Sequence, residues 1–572
     1  MLRLFTNRFF LPFLVVTFIP GIYYAVTGPL DPYHEGAIVP ASVGVADGLT
    51  IYKEVNHQYG FVHILANALV FEFTGYHLLA YRIIGVVLIF FNAVLTFKIS
   101  KYYVGRKFAA ILCASTALIS PAWSFLNSKE LGTIGPWPNI YAITLVLSSI
   151  LFWQKHTVSS MSFFLVTLSG ICSSIASGVR IQYLIVIFLQ SVAIAFMSYK
   201  KVIAKRTARA WAIGVAIGFS LILGFLATQN ALEDAFEQIF VIWTMDVPNK
   251  PGIGVFHIIS FLFGVLVFAS IFLALYLFRS FQKVNELVSI LFFALLLGTF
   301  LVLNSRKIEI FSNSELNTLV EFSLARLPFL SSSSLLILFL CTNLKDILAS
   351  SHRQISHKLS HLDHNYLMIT SSALGTFSLF HNINADYIFM SIQIFLIWFI
   401  ARYCRDIDSR SKRSSLFTES LAISLVIPLL ISSCLSLTKI DGLRYSYPTP
   451  FLYGIFEYDR VKLNSVESSF NFVREIASQK DTYLDCSAGI YSVNDSGYLL
   501  ADKWTWNEIP REWRINKLES IQSGDKIVVC ELDEFWTGVY ENLLDSNFIE
   551  VIGSADRMTA YKVLKSPILN VD

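Results

Sequence analysis

Hydrophobic positions in this chain run in long unbroken stretches, with little of the alternation expected of half-buried strands or amphipathic helices. About 20 apolar residues are needed for a helix to cross the hydrocarbon core of a bilayer. Stretches of that order fall at about 9–26, 77–97, 108–126, 138–154, 161–178, 181–199, 210–228, 254–278, 287–304, 324–343, 366–381, 386–403 and 416–437. They predict an α-helical polytopic membrane protein of about thirteen transmembrane helices. Two pairs meet at tight turns near Arg180 and Asn384, where a re-entrant hairpin is the alternative, and we take all four segments as full spans. Phe61 to Phe73 is apolar but short for a span, so it is expected along the membrane interface. The first stretch lacks a small-residue cleavage site and is followed by a polar loop, so it reads as a retained helix.

Beyond about residue 438 the pattern changes, and charged and polar residues return. Candidate strands Thr482 to Cys486, Lys526 to Leu532, Phe548 to Ile552 and Met558 to Leu564 alternate with helical patterns at 468–479 and 536–545. That alternation predicts a small C-terminal α/β domain. The division is therefore a multi-span domain over 1–437 and an aqueous domain over 438–572.

Composition sharpens this picture. Of 572 residues, 54% are hydrophobic and 15% charged, against roughly 25% charged in soluble domains, which excludes a soluble globule. The net charge of +3, from 44 Lys and Arg against 41 Asp and Glu, carries no nucleic-acid signature. Placement says more than the total. With the N-terminus inside, the cytoplasmic loops collect 22 Lys and Arg and the outer loops 6, as the positive-inside rule requires. An odd number of spans then makes the C-terminal domain extracytoplasmic in a multi-pass protein of the plasma (inner) membrane.

Chemistry concentrates in the first long outer loop, which contains Asp31, His34 and Glu35, then a turn from Gly36 to Pro40, then His57, Tyr59 and Gly60. Asp31 and Glu35 are four apart and would share a face if that stretch were helical. The plainer reading is a solvated juxtamembrane loop. Arg82 and Arg180 sit at the outer ends of apolar segments, where a cation either snorkels to headgroups or finds a partner. Arg306, Lys307 and Arg326 are weaker cationic candidates on the same side, and Glu130, Asp246, Glu321 and Asp386 are further outward acids. His357, His361 and His364 share a helical face, which invites a zinc reading. They fall in a loop expected to be cytoplasmic, where a polar helix meeting headgroups is the plainer account. Seven cysteines lack metal spacing; Cys113, Cys172, Cys341, Cys404 and Cys434 read as apolar fillers, and Cys486 and Cys530, at the ends of two predicted strands, as a disulfide. No metal or cofactor is expected.

The outer loop with Glu35, the pair Tyr59-Gly60, a short helix ending at Thr74-Gly75, and Leu78-Leu79-Ala80-Tyr81-Arg82 together resemble the type C membrane glycosyltransferases. That superfamily includes the protein O-mannosyltransferases and the bacterial lipid A aminoarabinose transferase. Gly170 to Arg180 and the plan of many spans plus an outer C-terminal domain are similar as well. The chain departs from the family at one place, having His34-Glu35 where the family has an Asp-Glu pair.

The resemblance implies transfer of a sugar from a polyprenyl-phosphate-linked donor to a hydroxyl of a glycan, lipid or protein acceptor at the outer face. Either Glu35 or Asp31 would take the acceptor's proton, with inversion at the sugar carbon, and Glu35 is the first choice. Arg180 and Arg82 would hold the leaving phosphate, while His34, His57 and Tyr59 would line the sugar pocket. The competing readings are an envelope glycan polymerase or ligase, a transporter, and a structural scaffold. A transporter would show repeat-related halves with broken helices or charges at the midplane, and the sequence shows neither.

Overall fold

The computed structural model describes residues 34–57, 59–103, 138–156, 162–199, 201–241, 365, 367–372, 443–447, 454–458, 460–477, 481–485, 502–503, 511–530, 534–555 and 558–566, with isolated positions 22, 25, 109, 376, 394, 397 and 493. The predicted spans at 9–26, 108–126, 254–278, 287–304, 324–343 and 416–437 lie outside them but for such single positions, as does most of 366–403.

The described residues up to 241 are mainly helical: α1 (His34–Ala46), α2 (Val62–Thr74), α3 (Leu78–Ser100), α4 (Pro138–His156), α5 (Ser162–Val179), a short 3-10 turn at Ile181–Tyr183, α6 (Leu184–Tyr199), α7 (Lys205–Thr228) and α8 (Leu232–Phe236), followed by a π-turn at Glu237–Val241. Among the described residues, three segments are long and apolar enough to cross a membrane: Leu78–Ser100, Ile181–Tyr199 and Lys205–Thr228. The 23 residues of α3 rise about 34 Å, enough for the hydrocarbon core. Each of the three carries an exposed apolar stripe at helical spacing: Ile83, Val87 and Phe91 on α3, Ile185, Phe188 and Val192 on α6, and Ile213, Ile217 and Leu221 on α7. Water would penalise such stripes and lipid does not. The short α2 exposes Leu69 and Phe73 in the same way, as an interfacial helix should.

The bundle is held together by close backbone approach and by polar links. At the α5–α7 crossing, a Cβ on Gly214 would stand 2.1 Å from the carbonyl oxygen of Thr167, so only glycine permits this separation. Inside the bundle Ser149 bonds to Ser169 (2.9 Å) and Ser173 (2.8 Å). Ser173 donates to Gln190 Oε1 (2.7 Å), and Gln190 Nε2 donates to Ser372 (2.8 Å). Lipid offers these groups no partner, so satisfying one another fixes how the helices meet.

From residue 443 onward the structure turns to strands and short helices. β1 (Leu443–Tyr447) and β2 (Gly454–Tyr458) form an antiparallel pair, and α9 (Arg460–Ile476) follows. β3 (Thr482–Asp485), β4 (Asp502–Lys503), α10 (Arg511–Glu519), β5 (Lys526–Cys530), α11 (Glu534–Asp545), β6 (Ile549–Ala555) and β7 (Met558–Val563) come next among the described residues. The five-stranded sheet has the order β4-β3-β5-β7-β6, with β3 parallel to β4 and β5, and β7 antiparallel to β5 and β6. Alternation along β5 sends Ile527 and Val529 to one face, where they pack with Leu518 of α10 and Trp536, Tyr540 and Leu543 of α11. Val528 goes to the other face, in the same apolar cluster as Phe470 and Val473 of α9. All four strands expected from the sequence are present, their ends within about three residues of expectation. β1, β2, β4 and α10 are additions that the hydrophobic pattern does not predict.

Candidate active site

The stretch from Gly36 to Pro40 is not the turn that its Gly and Pro suggest. His34–Ala46 is a continuous helix that passes through Pro40, and Glu35, Gly36 and every residue from Ile38 to Gly44 are buried. A helix apolar on all sides is stable only inside protein or lipid, and here protein surrounds it. Glu35 stands in its first turn, where a carboxylate favours the helix dipole.

Burial of that carboxylate is offset by a specific partner. Arg82, in the second turn of α3, donates through Nε to Glu35 Oε1 (2.6 Å) and through Nη2 to Oε2 (2.8 Å). Their side chains are 4% and 1% exposed. A bidentate fork fixes the plane of the carboxylate as well as its position. Two residues expected in separate roles, base and phosphate ligand, are thus one unit, and Arg82 is committed to the acid rather than to headgroups.

Arg180 follows the last turn of α5 and is also buried, 5% exposed. Its Nη1 donates to Asn139 Oδ1 at 2.9 Å, and its guanidinium lies over the Tyr59 ring, 5.1 Å from the centroid. The backbone explains why Tyr59 is there. A Cβ on Gly60 would come 2.1 Å from the Gly178 carbonyl oxygen, so the chain entering α2 touches the end of α5 main chain to main chain. This contact seats Tyr59 beside Arg180.

The segment before Gly60 is pinned from a distant part of the chain. Gln238, in the π-turn, accepts the backbone N–H of His57 (2.9 Å) and donates to the Tyr52 carbonyl (2.6 Å). The Tyr52 hydroxyl donates to the Tyr59 carbonyl (2.6 Å). Tyr52 has φ 68°, a left-handed conformation that costs about 1–3 kcal/mol in a non-glycine residue, and these contacts hold it. His57 meets Tyr59 edge to face at 5.6 Å.

Several polar residues here escape a reading of the sequence alone. His63, the second residue of α2, places Nε2 3.3 Å from His57 Nε2. Asn67, one turn further, accepts a hydrogen bond from the Tyr141 hydroxyl (2.5 Å). Asn139 is the second residue of α4, two before Tyr141. Each is a polar residue within an apolar segment, the only signal that could expose it. Burial first, then electrostatic repulsion from His57 and Arg180, holds the His63 imidazole well below its ordinary range.

His34 opens α1. Asp31, Arg306, Lys307, Arg326, Glu130, Asp246, Glu321, Asp386 and the three histidines His357, His361 and His364 lie outside the described residues. Among those described, no three His, Cys, Asp or Glu side chains come together in a metal-binding group. Cys172 is free and half-buried. Cys530 is disulfide-bonded, and Val529 before it pairs with Asp485, which precedes Cys486; Cys486 itself lies outside the described residues.

No protein-family model matches the chain, and no curated protein matches it. Among solved structures it is similar to ArnT from Cupriavidus metallidurans bound to undecaprenyl phosphate, at 11% identity over 97% of both chains and a TM-score of 0.40. It is also similar to the archaeal oligosaccharyltransferase AglB from Archaeoglobus fulgidus in complex with an inhibitory peptide and a dolichol-phosphate, at 12% identity. That match covers 92% of this chain and 70% of the other, with a TM-score of 0.46.

Proposed function

We propose that this chain is an inverting membrane glycosyltransferase that moves a sugar from a polyprenyl-phosphate-linked donor to the hydroxyl of a glycan, lipid or protein acceptor. The observation that carries the reading is the buried Glu35–Arg82 pair. A carboxylate withdrawn from water and locked in plane is a costly arrangement that suits a directional base. Glu35 takes the acceptor proton as its oxygen bonds to the anomeric carbon, and the bond from that carbon to the phosphate oxygen breaks. The phosphate leaves with a negative charge that Arg180 stabilises. Arg82 positions Glu35, Asp31 is the alternative acid, and His34, His57 and Tyr59 line the sugar site.

Residues 438–572 form an extracytoplasmic domain in this reading. The charge bias between loops supports it, and so does the disulfide at Cys530, since disulfides persist in oxidising compartments. The test is release of lipid phosphate by the purified protein in lipid, offered a panel of polyprenyl-phosphate sugars. Glu35→Gln should bind donor and lose turnover by about 100-fold or more. Wild-type turnover in Glu35→Gln would remove Glu35 as the base, and no release from any donor would overturn the transferase reading.

A further inference from the structure

Among the described residues, three buried polar atoms near Arg180 have no hydrogen-bond partner: His63 Nδ1, Asn139 Nδ2 and the Tyr183 hydroxyl. Asn139 has no freedom in the matter. A guanidinium only donates, so the Asn139 oxygen must face Arg180 and its NH2 must face away. Arg180 is close enough to act electrostatically on both His63 and Tyr183. An unsatisfied buried polar group costs about 1–3 kcal/mol, and native structures tolerate few of them. Several together beside a buried cation describe a site for a ligand with several acceptor oxygens, which is an anion of the phosphate class.

The His57–His63 contact adds a second property. Two imidazoles meeting Nε2 to Nε2 at 3.3 Å share one bridging proton, and when both are neutral only the accepting ring carries a proton on Nδ1. A further proton on the pair fills the other Nδ1, so in the charged pair His63 Nδ1 is a donor whichever ring held the bridge. The charged or titratable groups acting on His63 are His57, from the segment before α2, and Arg180, from the end of α5. Tyr141 of α4 faces its ring at 6.2 Å, and Tyr59 stands against His57. Burial, the Arg180 guanidinium and the repulsion between two charged imidazoles oppose a charge on His63 before an anion arrives. An anion beside Arg180 cancels that repulsion and offers Nδ1 an acceptor.

We propose that His63 is a ligand of the phosphate, and that binding a phosphate-bearing lipid beside Arg180 draws one proton from solvent onto the His57–His63 pair, placing an imidazolium and a guanidinium on the same anion. The inference rests on the donor reading above and goes beyond it by making donor binding proton-coupled. No covalent bond changes; protein, anion and one proton give the complex.

The sign follows from linkage. The His63 imidazole is held low in the empty site and rises when the anion arrives, so uptake occurs between those two values and affinity falls as pH rises through that window. The experiment is calorimetry of undecaprenyl phosphate binding to the full-length protein in lipid nanodiscs, in buffers of different ionisation enthalpy, from about pH 6 to 8. The lipid phosphate's own titration is common to all variants, so the comparison with His63→Gln isolates His63; Gln keeps a donor toward His57. Wild type should take up as much as one proton more than His63→Gln, and its affinity should fall more steeply with pH, by up to about tenfold per unit. His63→Asn, a second variant should the first not fold, should behave like Gln. Equal proton uptake in wild type and either folded variant overturns the proposal. Loss of binding in Arg180→Ala alongside that equality leaves the donor reading standing, whereas no binding by wild type overturns both.

Discussion

Replacing Arg82 by Met, alone and together with a change at Glu35, tests the coupling of the Glu35–Arg82 pair. Met roughly conserves length and apolar volume, so the change removes the charge and the fork but opens little cavity. With about 4 Å between charge centres and an effective dielectric of about 20, the pair's attraction is about 4 kcal/mol. Measured losses on removing one partner of a buried pair run about 3–5 kcal/mol, because the remaining ion stays buried and uncompensated. Arg82→Met and Glu35→Leu should therefore each destabilise the protein by that amount. The double variant should lie within about 1 kcal/mol of wild type, since replacing a buried pair by apolar residues is often neutral. Arg82→Lys should fall between, keeping the charge but not the two-point geometry. Equilibrium unfolding with SDS in mixed micelles closes this cycle. If the two single effects simply add, within about 0.5 kcal/mol, the two side chains do not interact and the proposed positioning of Glu35 fails with them.

Gly60→Val drives a side chain into the Gly178 carbonyl and should destabilise by about 1–3 kcal/mol while weakening donor binding through Tyr59. Gly224→Ala, at a glycine where an added Cβ would meet nothing within 4 Å, serves as the neutral control in the same assay. Asp485, 1% exposed, accepts from Arg514 (2.5 and 3.0 Å) and Tyr540 (2.6 Å) at the end of β3. Asp485→Leu, which strands the guanidinium, should cost about 3–5 kcal/mol and make residues 438–572 the first segment cut in limited proteolysis; wild-type protease resistance would refute this. Non-reduced peptide mapping should find Cys530 joined to Cys486, and a reporter fused after Asp572 should be active outside the membrane. Free thiols at both cysteines, or a reporter active in the cytoplasm, would reject the outer placement of the domain.

The apolar runs that define α3, α6 and α7 are legible because lipid demands length and hydrophobicity and little else. α2, expected at 61–73, lies at Val62–Thr74, with Gly75 as its stop. α1 is not legible: Gly36 and Pro40 are local punctuation, and tertiary burial of Ile38, Val39 and Val43 outweighs it. Glu35, Arg82 and Arg180 stand out singly as charges in apolar surroundings. Their arrangement does not, because a link across 47 residues leaves no trace in spacing. His63 and Asn139 stay hidden for the same reason, each needing a neighbour from another helix to acquire meaning. In the sheet, the unbroken apolar run Ile527–Val529 reveals β5, which is buried on both faces, while the two-residue β4 is too short to carry a pattern.

The chain of hydroxyls and amides from Ser149 through Ser173 and Gln190 to Ser372 also imposes an order on biogenesis. Ser149, Ser173 and Gln190 lie on α4, α5 and α6, which leave the ribosome close together, whereas Ser372 follows Gln190 by 182 residues. At about 5–20 residues per second of synthesis, the Gln190 amide waits on the order of ten to forty seconds for that acceptor. During this interval a half-assembled bundle holds an amide that lipid does not solvate. The last bond of the network therefore reports that the late helical segment has docked, and a nascent chain stalled before residue 372 presents to the membrane's quality-control machinery a polar face that the finished protein hides.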